Sequence, residues 1–198
     1  LVGGGPHGMA FNADGTKVFL NNKDKIVREF NLTDGPFDIG NLVKVQNINL
    51  SEYLTKGLRG LEFADDGKKF LVIEADCANG CYNVAKIHEF TLSTAYDVAS
   101  YTYEGEFDVL EWEQDAQGLG FNPDGTRMYV LGTNTGNSGD GANRWNGTGE
   151  FIREFELSCP WQLTGECGEE EEKRVSGACG FDRDCTAPRI TKHGISET

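Results

Sequence analysis

Between Ile26 and Leu32 apolar and polar side chains alternate, so that Phe30 and Leu32 fall on one face of an extended segment and Glu29 and Asn31 on the other. The phrase returns at Ile87–Leu92, with Phe90 and Leu92 opposed to Glu89 and Thr91. It returns again at Ile152–Leu157, with Phe155 and Leu157 opposed to Glu154 and Glu156. Ahead of each copy stands a short strand of small and apolar residues: Gly8-Met9-Ala10-Phe11, Gly60-Leu61-Glu62-Phe63 and Gly118-Leu119-Gly120-Phe121. An Asp-Gly pair follows at 14–15, 66–67 and 124–125, and then a second strand at 17–20, 69–73 and 127–131. Asp-Gly supplies the positive φ of a tight hairpin. After the third strand an aromatic turn repeats as Pro36-Phe37-Asp38-Ile39, Ala95-Tyr96-Asp97-Val98 and Pro160-Trp161-Gln162-Leu163. The pattern predicts fourth strands at 42–48, 101–107 and 173–178.

Gly8, Gly60 and Gly118 lie 52 and 58 residues apart. A period near 50 made of short strands and Asp-Gly turns is the signature of propeller blades. The predicted fold is therefore all-β and β-propeller-like, with three four-stranded antiparallel blades over 6–50, 58–108 and 116–180 in a repeat region covering 1–180. A Cys-rich C-terminal extension follows, with 181–198 a linker or the start of a further domain. The repeated phrase resembles the YVTN/NHL-type β-propeller repeat, Pro-x-Gly-aliphatic-Ala-Phe-x-Pro-Asp-Gly-Thr-x-aliphatic-Tyr-Val, over about residues 6–180. The resemblance implies the fold and says little about activity, since such propellers include scaffolds, ligand binders and enzymes. The stretch from Cys185 to Ile190 resembles a Pro-containing lead into an extracellular β-sandwich domain.

Three blades alone leave two sheet edges and a central face uncovered. The expectation is a part of a longer protein, or a subunit completed by neighbouring subunits or by further domains of the same chain. A net charge of −14, concentrated around Glu166 and Glu169–Glu172, argues against nucleic acid as a partner. No run reaches the roughly 20 apolar residues of a membrane span. Six cysteines, Cys77, Cys81, Cys159, Cys167, Cys179 and Cys185, occupy connections and the C-terminal segment. Their irregular spacing fits disulfides better than zinc. Cys77 is expected to pair with Cys81, while the other four leave three connectivities open. Sequons place candidate N-linked glycans on Asn31, Asn49 and Asn146. Cysteines and sequons together point to an extracellular or cell-surface glycoprotein.

No nucleophile elbow, phosphate loop or His-Glu-x-x-His motif occurs, and no metal or cofactor is expected. The one polar constellation is the residue before each inner-strand glycine, His7, Arg59 and Gln117, with Asp115 nearby. In propellers of this type that position lies at the mouth of the central channel. His88 aligns with Arg28 and Arg153 and reads as an ordinary polar strand position. The sequence is thus read as a non-enzymatic structural or assembly module, a repeated unit of an extracellular filament or appendage of the flagellar-hair kind. The alternatives are a ligand- or carbohydrate-binding propeller, using the loop rim around Asn134–Trp145, and a propeller enzyme of the lactonase or lyase type.

Overall fold

The computed structural model describes residues 5–75, 84–132, 151–165 and 189–191. The first sheet is made of β1 (Pro6–Phe11), β2 (Lys17–Asn22), β3 (Ile26–Leu32) and β4 (Leu42–Asn49). β5 (Gly57–Ala64), β6 (Lys69–Ala75), β7 (Ala85–Leu92) and β8 (Tyr101–Asp108) form the second. β9 (Ala116–Phe121), β10 (Arg127–Gly132), β11 (Phe151–Glu156) and β12 (Arg189–Thr191) form the third. Each sheet is an antiparallel meander with its strands in chain order. Among the described residues the only helical turns are two short 3₁₀ turns, and no helix is long and apolar enough to cross a membrane.

The fourth strand of the third sheet corrects the sequence reading. It is Arg189–Thr191, paired to β11 with Phe155 opposite Ile190, inside the stretch expected to be a linker. Three residues after a proline are too few to show a periodicity. Residues 173–178, where the strand was expected, lie outside the described ones.

The Asp-Gly pairs close the hairpins as expected, with Gly15, Gly67 and Gly125 at φ of 69°, 81° and 70°. In the first and third sheets an asparagine organises the loop: the Lys17 amide donates to Asn12 Oδ1 and the Arg127 amide to Asn122 Oδ1, both at 2.8 Å. Asp14 and Asp124 accept from the amide and hydroxyl of Thr16 and Thr126, which holds both carboxyls below the usual range. Ala64 takes the asparagine's place in the second sheet. Without that side-chain acceptor the loop tightens into a 3₁₀ turn, with Asp65 and Asp66 both at positive φ.

The aromatic turn sits directly over these hairpins. Phe37, Tyr96 and Trp161 all adopt positive φ, and their amides donate to the carbonyls of Gly15, Gly67 and Gly125 at 2.8, 2.9 and 2.8 Å. A Cβ on any of the three glycines would stand within 2.4 Å of the ring above it. The glycine is therefore required twice, by backbone conformation and by the ring.

Alternation along the strands gives each sheet two apolar faces. The face carrying Phe70, Val72, Phe90, Leu92 and Val98 of the second sheet packs on Phe19, Val27 and Ile48 of the first. The opposite face of the second sheet, with Leu71, Ile73 and Ile87, packs on Met128, Val130, Phe155, Leu157 and Leu163 of the third. We call these faces front and back; each front meets the back of the preceding sheet.

The same polar clasp joins the backs to the fronts. Lys17 binds Glu29 at 2.6 Å and donates to the Tyr96 carbonyl of the second sheet at 3.2 Å. Lys69 binds Glu89 at 3.0 Å and donates to the Trp161 carbonyl of the third at 3.2 Å. Both glutamates are buried, and the geometry supplies what burial demands: Glu29 also accepts from Gln46 at 2.6 Å, and Glu89 from the Leu163 and Thr164 amides at 2.8 and 3.1 Å. Arg127 and Glu154 repeat the ion pair on the third sheet at 2.8 Å.

Candidate functional site

The first strands of the three sheets lie side by side, β1 against β5 and β5 against β9. Their approach depends on glycine. A Cβ on Gly8 would lie 2.5 Å from the Arg59 carbonyl oxygen, and one on Gly60 would lie 3.1 Å from the Gln117 oxygen and 3.2 Å from Gly118 Cα. The residues before these glycines are therefore carried towards one another.

Of the expected channel-mouth set, His7 and Arg59 meet: the guanidinium donates to His7 Nδ1 at 2.9 Å. Burial first, then the Arg59 guanidinium and the Lys23 ammonium, push the imidazole below its ordinary range, which leaves it neutral and able to accept. Gln117 turns to its own loop and donates to Asp115 at 2.6 Å. Beneath the pair, Asn21 donates to the Gly60 carbonyl at 3.0 Å, and its Oδ1, like Arg59 Nε, is buried without a hydrogen-bond partner among the described residues. Among the described residues no group of three or more His, Cys, Asp or Glu side chains is placed to hold a metal ion.

A second polar cluster, missed in the sequence, lies inside the second sheet. His88, expected at an ordinary strand position, is fully buried and binds Glu74 through Nε2 at 2.7 Å and the Tyr103 hydroxyl through Nδ1 at 3.1 Å. Glu74 also accepts from the Thr55 amide at 2.6 Å, the Thr55 hydroxyl at 2.8 Å and the Lys56 amide. Burial pulls the Glu74 carboxyl upward, but the bonds from His88, Lys56 and Thr55 prevail and hold it at about 2. The carboxylate thus ties the loop entering β5 to the middle of its own sheet.

The third sheet solves the same problem with the roles exchanged. Gly132 stands where Glu74 does, and the buried Glu113 arrives from the loop before β9, at the position of Thr55. A Cβ on Gly132 would lie 2.1 Å from the Glu113 carboxyl carbon. Arg153, in the His88 position, donates to the Trp112 carbonyl at 3.1 Å. A column-by-column comparison of the repeats shows glutamate against glycine here and hides the shared carboxylate.

The sequon asparagines Asn31 and Asn49 are both exposed, Asn31 on β3 and Asn49 at the end of β4, where it accepts from the Ser51 amide at 2.9 Å. Cys159 is buried and disulfide-bonded. Asn146, Asn134, Trp145, Cys77, Cys81, Cys167, Cys179 and Cys185 lie outside the described residues.

No family model matches the sequence, and no curated protein matches it. Solved structures do. The periplasmic gluconolactonase of Pseudomonas aeruginosa superposes with a TM-score of 0.51 at 19% identity, over 78% of this chain and 36% of its own. A Bacteroides fragilis protein with a provisional 6-phosphogluconolactonase name gives 0.53 at 19%, over 78% and 35%. Sqt1 from Chaetomium thermophilum gives 0.50 at 13%, over 96% and 36%. The three sheets are blades of a β-propeller. Identity this low carries the fold alone, and the chain spans little more than a third of the length of these proteins.

The comparison also overturns one expectation. The chain was read as non-enzymatic because it carries no nucleophile elbow, phosphate loop or His-Glu-x-x-His motif and its three blades bring no convergent catalytic set. Structures with the same blade architecture are named gluconolactonases. A channel site draws side chains from several blades of a ring, so the blade count of one segment is no argument against chemistry in the whole.

Proposed function

We propose that the chain is an assembly module of an extracellular or cell-surface glycoprotein, a unit whose blades are joined to further blades in a larger structure such as a filament or appendage. The observation that carries this reading is the state of the two end faces. Ile39 on the front of the first blade is 64% exposed, whereas its counterparts Val98 and Leu163 are buried against the preceding blade. Ile152 on the back of the third is 37% exposed, whereas Val27 and Ile87 are fully buried. At these positions surface that is interior elsewhere in the repeat is exposed, and apolar surface of this kind marks a contact site. The exposed sequons Asn31 and Asn49 and the disulfide-bonded Cys159 support export. The assembly role makes no demand on whether the channel also carries chemistry.

The test is to isolate the protein from its native source. N-glycosidase digestion and peptide mapping are expected to find sugar on Asn31 and Asn49, in material that sediments as an assembly. Unmodified asparagines in an intracellular, unassembled protein would contradict the reading.

A further inference from the structure

The end faces also point to what covers them. Resting on the assembly reading above, we propose that the back of the third blade docks head to tail on the front of the first blade of a second copy. The argument is continuity with the two interfaces already present. In both, a back contributes apolar strand positions, Phe19 and Val27 in the first blade and Leu71, Ile73 and Ile87 in the second, and a cation–glutamate pair, while a front contributes an inner-strand residue, an outer-turn residue and the carbonyl of the positive-φ aromatic.

Each of these parts is present on the open faces. The back of the third blade carries Leu131 and Ile152, 45% and 37% exposed, at the positions of the buried Ile73 and Ile87. Beside them the Arg127–Glu154 pair occupies the place of Lys17–Glu29 and Lys69–Glu89. In the two internal interfaces this cation reaches the carbonyl of Tyr96 or Trp161 on the next blade. The front of the first blade carries Phe37, whose carbonyl is the matching acceptor, together with Met9 and Ile39. Met9 is 59% exposed at the position of the buried Leu61. Front and back are thus two halves of one contact that the chain makes twice within itself. Such a contact is heterologous and joins copies head to tail.

The test uses the full chain in sedimentation equilibrium, with Ile152→Asp and Ile39→Asp. The wild type is expected above the monomer mass at about 100 μM. Each variant alone is expected to weaken association at least about tenfold, since a carboxylate would be buried in the contact, with an unchanged circular dichroism spectrum. Mixing the two variants restores one sound interface, Ile152 of one copy against Ile39 of the other, and dimer mass is expected. A monomeric wild type, an association indifferent to Ile152→Asp, or a mixture that stays monomeric would each overturn the proposal. A monomeric wild-type chain that is still recovered glycosylated within a native assembly would overturn the two-copy contact alone and leave the module reading standing.

Discussion

Replacing Glu74 by glutamine is expected to lower the unfolding free energy at pH 7 by about 3 kcal/mol. The carboxyl sits at about 2 in the folded chain against an ordinary 4.5, and each unit of such a difference corresponds to about 1.4 kcal/mol. Glu74 is almost wholly buried, so solvent does little to screen its partners. The pH dependence has a definite sign. A depressed carboxyl stabilises the fold above its unfolded value and loses that contribution as pH falls through the folded one. The gap between the wild type and Glu74→Gln should therefore be full at pH 6–7, begin to close below about 4.5 and be small near 2. Urea unfolding at pH 7, 5 and 3 measures this. A variant within about 0.5 kcal/mol of wild type at pH 7, the usual range for surface changes, would mean that the buried pair does not hold the β5 entry.

Gly8→Ala should cost about 2–3 kcal/mol, in the range of overpacked sites, while Gly118→Ala should cost less than about 0.5 kcal/mol. The two glycines hold the same place in the repeat. Gly8 has the Arg59 carbonyl oxygen 2.5 Å from where a Cβ would sit, and the backbone of β5 cannot withdraw without separating the blades. Gly118 would meet only Leu131, at 3.8 Å, because among the described residues no strand lies beyond β9. Thermal unfolding in the Ile152→Asp background, where no second copy covers β9, separates the two cases. Equal losses at both positions would contradict the packing of the inner strands.

Much of this architecture was legible because each blade repeats a local rule. Asp-Gly fixed the hairpins, alternation fixed the faces, and the three aromatic turns stood in plain view. The conformation of Phe37, Tyr96 and Trp161 was not legible, since nothing in an aromatic side chain favours positive φ and only the hairpin glycine beneath explains it. β12 was too short to carry a pattern. At the candidate site the positions of His7 and Arg59 followed from the repeat, but the hydrogen bond of Gln117 to Asp115 depends on the local course of its loop. The buried His88 read as an ordinary strand residue because alignment with Arg28 and Arg153 compares positions, whereas its partner Glu74 is replaced in the third blade by a glutamate from a different element.

That the open front of the first blade is made to be covered can be measured on one side chain. The chain has two methionines, Met9 and Met128. Met128 is fully buried between the second and third blades, and Met9 stands on the front of the first. Peroxide oxidation followed by peptide mass spectrometry reads both at once. In the full chain at assembling concentration, Met9 is expected to oxidise almost as slowly as Met128, and at least about tenfold faster in Ile152→Asp, since oxidation follows exposure. Equal and rapid oxidation of Met9 in both proteins would show that no neighbouring blade covers this face.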